Sequence, residues 1–142
     1  MAMRKNARDV RIEWGDCDPM GIVFFPRYLA IFDDSTAYLF ESVFGLTKYK
    51  LNEAFDFAGF PLVDVRARFI IPSRYGDDVV VESTIGEFRN SSFDVEHRLF
   101  KSGELAVEGH ETRVWVVRDR DDPRQLRSQP IPREVKERFV LT

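Results

Sequence analysis

A chain of 142 residues that is 44% hydrophobic and 13% aromatic has the length of one domain and enough apolar side chains for a core, which excludes a disordered or fibrous chain. Its net charge of −3 argues against nonspecific nucleic-acid binding. No apolar run nears the roughly 20 residues that span a bilayer. The polar stretch from Met1 to Asp9 has no signal-peptide core, so the sequence reads as a bacterial-style cytoplasmic enzyme. The single cysteine, Cys17, excludes an intrachain disulfide and a multi-cysteine zinc site, and His97 and His110 lack metal-motif spacing. No metal or cofactor is expected.

In chain order, Arg8 to Trp14 alternates, with Val10, Ile12 and Trp14 on one face and Arg11 and Glu13 on the other, as a strand does. Gly15, Asp16, Pro19 and Gly21 then mark a turn. The period next becomes helical: Phe25, Leu29, Phe32, Thr36, Leu39 and Val43 step by four and three. Pro26 suits the first helical turn and Gly45 the stop. Tyr28, Ile31, Tyr38, Phe40 and Phe44 add apolar surface around most of this helix, which predicts that it is wrapped on several sides.

Leu46 to Phe60 reads as a short helix and a loop closed by Gly59 and Pro61. Alternation returns with Val63, Val65, Ala67 and Phe69 opposite Asp64, Arg66 and Arg68. Ser73 to Asp78 is a turn, Val79 to Ile85 is β-rich, and Phe93 to Phe100 alternates. Ser102-Gly103 is a hairpin turn into Leu105 to Val117. After a polar connection over Asp119 to Pro123, Arg124 to Gln129 reads as a last short strand and Ile131 to Phe139 as a terminal helix with Pro132 near its start. One strand, one long helix, then several strands joined by short turns is an antiparallel α+β arrangement.

The stretch from Gly15 to Phe32 carries the chemistry. It places a carboxylate, Asp18, on a tight turn just before an apolar helix, whose start offers unpaired N–H groups and a partial positive charge. Such donors hold a developing oxyanion while the carboxylate attacks or activates water. Asp18 before Pro19 is also an ordinary turn residue, Asp16 reads as a turn or cap residue, and Cys17 as a small buried side chain. Asp33, on an apolar helix, either faces a pocket or pairs with an arginine. His97 and His110 sit in strand patterns as partly buried residues. The run Arg118 to Arg127 mixes both signs and reads as a solvated loop and edge strand. The nucleophile-elbow string Gly-x-Ser-x-Gly is absent.

The string Gly15-Asp16-Cys17-Asp18-Pro19-Met20-Gly21-Ile22-Val23, the apolar helix and the β-rich run after it resemble the hotdog-fold acyl-CoA thioesterases, nearest the 4-hydroxybenzoyl-CoA thioesterase branch. The resemblance covers nearly the whole chain, including the turn Glu87-Phe88-Arg89 and the terminal Ile131-Pro132-Arg133-Glu134-Val135. It implies a single hotdog domain over residues 1–142, a curved antiparallel sheet wrapped around one long central helix. It also implies Asp18 as the catalytic carboxylate, the Phe25 backbone N–H as donor to the thioester carbonyl, and Gly21 as room for the acyl group. Asp33 matches the residue that contacts the ring hydroxyl of the acyl group, and Phe24 lines its pocket. Arg89 and Arg127 match positions that grip the nucleotide of CoA, although the branch has three basic residues where this chain reads Arg89-Asn90-Ser91. Pro26 stands where a histidine-assisted subclass has histidine. The partners implied are an acyl-CoA substrate and further copies of the chain, in a homodimer that assembles to a homotetramer.

The expectation is therefore hydrolysis of a benzoyl- or 4-hydroxybenzoyl-type CoA thioester, with Asp18 acting either as nucleophile or as general base. An oxyanion donor such as Phe25 N–H is worth about 3 kcal/mol of barrier. A short- or medium-chain aliphatic acyl-CoA is the alternative substrate. A hotdog dehydratase is disfavoured because no histidine precedes His97. A non-enzymatic acyl-CoA-binding module would have no use for Asp18.

Overall fold

The computed structural model describes residues 2–141. Strands β1 (Lys5–Arg11), β2 (Leu62–Phe69), β3 (Asp78–Phe88), β4 (Ser92–Lys101) and β5 (Glu104–Val114) form one antiparallel sheet in the order β1-β3-β4-β5-β2. Helix α1 (Phe25–Phe44) packs on one face. This is the expected α+β arrangement of a sheet around a long helix. Outside the sheet lie α2 (Lys48–Ala54), the small ribbon of β6 (Val116–Arg118) with β7 (Leu126–Ser128), and α3 (Arg133–Arg138).

Helix α1 begins as its sequence predicts. Phe24 is extended, Pro26 fills the first turn where its missing N–H costs nothing, and Gly45 at φ 69° ends the helix. The sheet covers one side of it, and Phe55, Phe60 and Phe139 pack on Phe40 and Phe44 towards its C-terminal end. Tyr28, Ile31, Phe32, Ser35, Thr36, Leu39 and Phe40 are buried against the sheet, while Asp33, Asp34, Tyr38 and Glu41 face outward. The first strand is shifted towards the N-terminus relative to the alternation. It ends at Arg11, and Trp14 opens a single 3₁₀ turn with 78% of its surface exposed. Asp16 is the reason, because its Oδ2 accepts the Glu13 N–H and curls the backbone out of the sheet. The predicted strand over Leu105–Val117 breaks between Val114 and Val116, and the terminal helix is shorter than the apolar spacing suggested.

The inward-facing residues come in three groups. Ile12, Tyr28, Phe32, Val79, Val81, Leu99 and Val107 form one apolar cluster, and Leu39, Phe40, Ile85, Phe93, Val95, Trp115 and Phe139 belong to another. Between them on α1, β3, β4 and β5 the inward residue is polar or small: Thr36 on α1, Ser83 on β3, His97 on β4, and Gly109, Glu111 and Arg113 on β5. Here Phe32 lies flat on the His97 imidazole, centroids 4.8 Å apart and planes within 6°. Gly109, opposite His97 on β5, makes that approach feasible, because a Cβ there would sit 2.5 Å from the Phe32 ring.

Phe32 is fully buried and has nowhere to retreat. Gly109→Ala is therefore expected to destabilise the fold by about 1–3 kcal/mol, read as a lower midpoint in urea at unchanged slope.

Candidate active site

Asp18 lies on a tight loop whose two ends are tied by the Cys17–Val23 bridge. Its N–H donates to Ile22 O at 2.9 Å and its carbonyl accepts from Gly21 N–H at 2.8 Å. Gly21 has φ 82°, a conformation that a side chain would strain. The Asp18 carboxylate also serves the turn, since Oδ1 accepts the Met20 N–H at 2.8 Å. Among the described residues the second oxygen, Oδ2, makes no hydrogen bond, so the turn role leaves it available. Asp18 and Gly21 line a cavity of about 460 Å³ with Trp14, Cys17, Pro19, Arg74 and Tyr75. The expectation that Cys17 is buried is corrected to half-buried, beside Asp18 in this cavity.

The loop delivers the chain to α1 through a hydrogen bond from Phe24 N–H to Asp16 O at 2.8 Å. Phe25 then opens a 20-residue helix, and among the described residues its N–H meets no protein acceptor. The helix end so presented carries about half a positive charge. Phe24 and Phe25 are both solvent-facing, in edge contact with each other, and Phe25 also meets Phe69.

The other predicted residues lie elsewhere. Asp33 is about 12 Å further along the helix axis at 1.5 Å per residue. Its Oδ1 accepts from Arg113 Nη2 at 2.6 Å, so the pairing with arginine is realised, and both line a second cavity of about 420 Å³ with Lys48, Phe60, Arg118 and Arg124. Arg118 also borders a groove of about 650 Å³ with Arg120 and Arg127. The mixed-charge run read as a solvated loop therefore contributes three arginines to one depression. Arg89, in the β3–β4 turn, is bound to carboxylates: bidentately to Asp94 at 2.6 and 3.0 Å, and to Glu87 at 3.0 Å. The hydrogen bond from Arg89 holds the Asp94 carboxyl below its usual range and raises Arg89 itself.

The sequence reading missed a buried polar chain. Arg113 sends Nε and Nη2 to the two oxygens of Glu111, each at 3.0 Å, and Nη1 to Phe60 O at 3.2 Å. Glu111 Oε1 accepts the Thr36 hydroxyl at 2.5 Å and lies 3.2 Å from His97 Nε2. Because the Thr36 hydroxyl donates to Glu111, both neighbours of Nε2 are acceptors. The proton therefore belongs on Nε2, and Nδ1 accepts from Ser83 Oγ at 2.7 Å. A signal for this was present: Val107, Gly109, Glu111, Arg113 and Trp115 share one strand face, and two charges interrupt an otherwise apolar series. The expected partial burial of His97 is corrected to complete burial. The fold does bring a histidine with an acidic partner to the central helix, yet beneath Phe32 it is beyond any substrate.

Burial alone would raise the Glu111 carboxyl, but hydrogen bonds from His97 and Arg113 outweigh it and leave the value at about 2. A carboxyl lowered on folding contributes stability above its ordinary value of 4.5, and that stability is lost as pH falls towards about 2. Acid titration of the unfolding free energy is expected to show this loss between those limits. Glu111→Gln should flatten the slope there and cost about 3–5 kcal/mol at neutral pH by leaving Arg113 under-paired.

Comparison with known proteins matches residues 12–139 to the model of the thioesterase-like superfamily. The 4-hydroxybenzoyl-CoA thioesterase of Pseudomonas sp. (strain CBS-3) is 31% identical over 128 residues, which cover 86% of this chain and 88% of that protein. A solved structure of a 4-hydroxybenzoyl-CoA thioesterase mutant complexed with 4-hydroxybenzoyl-CoA has a TM-score of 0.86 at 27% identity, covering 96% of this chain and 99% of that one. A gentisyl-coenzyme A thioesterase has a TM-score of 0.78 at 28% identity, covering 94% and 98%.

Proposed function

The chain belongs to the thioesterase-like superfamily and is a thioester hydrolase, and on that premise we propose that it hydrolyses an aromatic acyl-CoA of the 4-hydroxybenzoyl type, with Asp18 as its catalytic carboxylate. The observation that carries this reading is the joint placement of Asp18 and the Phe25 N–H. A loop pinned at Cys17–Val23 and at Asp16–Phe24 carries the Asp18 carboxylate and leads directly into the Phe25 amide at the start of α1.

In the proposed reaction the carbonyl oxygen of the thioester accepts from Phe25 N–H, and the charge that builds on it is opposed by the helix end. Oδ2 of Asp18 either attacks the carbonyl carbon or takes the proton of an attacking water. The C–S bond breaks and its electron pair leaves on the sulfur of CoA, which needs no strong acid; where Asp18 has attacked, water then cleaves the resulting anhydride, releasing the free acid and returning the carboxylate. Turnover in heavy-oxygen water distinguishes the two roles, because attack by the carboxylate transfers label into Asp18. Arg74, which lines the cavity with Asp18, is a cation there that the sequence reading did not select.

Names of the relatives and the carboxylate of Asp33 support a hydroxylated ring as the acyl group. Arg127, with Arg118 and Arg120, offers guanidinium groups to phosphate, and Arg89 would have to exchange carboxylates for phosphate to join them. Asp18 and Asp33 line separate cavities of one chain. Trp14, Met20, Phe24, Phe25, Val63, Phe69 and Tyr75 are exposed around the first of these and along the β2 edge. Together these support a homodimer that completes the site from two chains and assembles to a homotetramer, and sedimentation equilibrium at micromolar concentration is expected to show no stable monomer.

Release of the CoA thiol should be measured on benzoyl-, 4-hydroxybenzoyl-, phenylacetyl- and aliphatic acyl-CoA with the wild type and Asp18→Asn. The expected outcome is preferential aryl turnover, lowered at least about a thousandfold by Asp18→Asn at unchanged stability. Full activity in Asp18→Asn would remove the assignment, and preference for aliphatic chains would remove the aromatic substrate.

A further inference from the structure

Asp33 is largely outside the protein, with 54% of its side chain exposed, yet one of its oxygens is not free. Oδ1 belongs to Arg113, whose side chain is only 3% exposed. That guanidinium cannot swing aside, because two of its other N–H groups are held by both oxygens of Glu111 and another by Phe60 O. Glu111 is fixed in turn by Thr36 and His97. Thr36 stands three residues after Asp33 on α1, and Glu111 two residues before Arg113 on β5, so one helix face and one strand face are joined at two points. An exposed aspartate ordinarily samples several rotamers, whereas this one is aimed by a chain of hydrogen bonds that ends in the core.

We propose that Arg113, held by Glu111, is the specificity-determining positioning residue of the acyl pocket, fixing the Asp33 carboxylate so that Oδ2 alone is presented to a hydroxyl donor on the acyl group. This rests on the reading of Asp33 as the group that meets a hydroxylated ring. A fixed acceptor gains more from that donor than a mobile one, because its ordering precedes binding.

The test compares kcat and KM for 4-hydroxybenzoyl-CoA and benzoyl-CoA in the wild type, Asp33→Ala, Arg113→Lys and the double variant. Lysine keeps the charge beside Glu111 but has no fork to aim Asp33. We expect Arg113→Lys to lower the ratio of kcat/KM for the hydroxylated over the unsubstituted ring about tenfold, the loss falling in KM of the hydroxylated substrate. Asp33→Ala should lower the ratio as far, and the double variant no further, because both act on one contact. Should Arg113→Lys fail to fold, Glu111→Gln with Arg113→Gln removes both buried charges together and is expected to give the same ratio. If Asp33→Ala loses the preference while the Arg113 variants keep it, the positioning role is overturned and the substrate reading stands. If Asp33→Ala keeps it, the hydroxyl contact is overturned, and the positioning role with it.

Discussion

The Glu111–Arg113 ion pair, closed inside the sheet, is the interaction on which the arrangement turns. A buried pair of charges contributes little net stability by itself, because desolvation offsets the attraction. Its effect here is directional. Glu111 needs the Thr36 hydroxyl and Arg113 takes the Asp33 carboxylate, and both come from α1. A helix bound to a sheet only by leucine and phenylalanine could settle in neighbouring registers at similar cost. Displacing this one by a turn would leave a buried carboxylate or guanidinium unmatched. The apolar clusters on either side supply the burial, and the polar middle decides where the helix stops.

That division explains what the sequence disclosed. The long helix was legible because Pro26, Gly45 and the four-three spacing of its apolar residues are local signals that all agree. The hairpin at Ser102-Gly103 was legible for the same reason, both residues taking positive φ. Trp14 was misplaced because its alternation with Val10 and Ile12 outweighed a single side-chain contact, Asp16 to the Glu13 amide. The outward face of the helix was not legible, because an apolar residue does not state whether its cover comes from its own chain. Tyr38 and Phe25 are apolar and outward.

The candidate site was legible in its local part alone. Asp18, Gly21 and Phe25 lie within eight residues, and a loop that short leaves few geometries. The Arg113–Asp33 contact joins residues 80 apart, and nothing in either neighbourhood announces the other. What could be read was the fact of a conflict: two charges on the inward face of a strand must have partners somewhere. Identifying Asp33 and Thr36 as those partners required the fold.

The remaining hydrogen bond of Arg113, to the carbonyl of Phe60, ties the far end of the segment that follows α1. Two walls of the second cavity are thereby clamped to one guanidinium, the helix by Asp33 and the segment by Phe60. Between Lys48 and Ala58 the same wall has no such tether to Arg113. Divergence towards bulkier acyl groups should then proceed by insertions and exchanges in that eleven-residue stretch. The helix face would pass unchanged from one lineage to the next, since altering it means replacing four interlocked side chains at once.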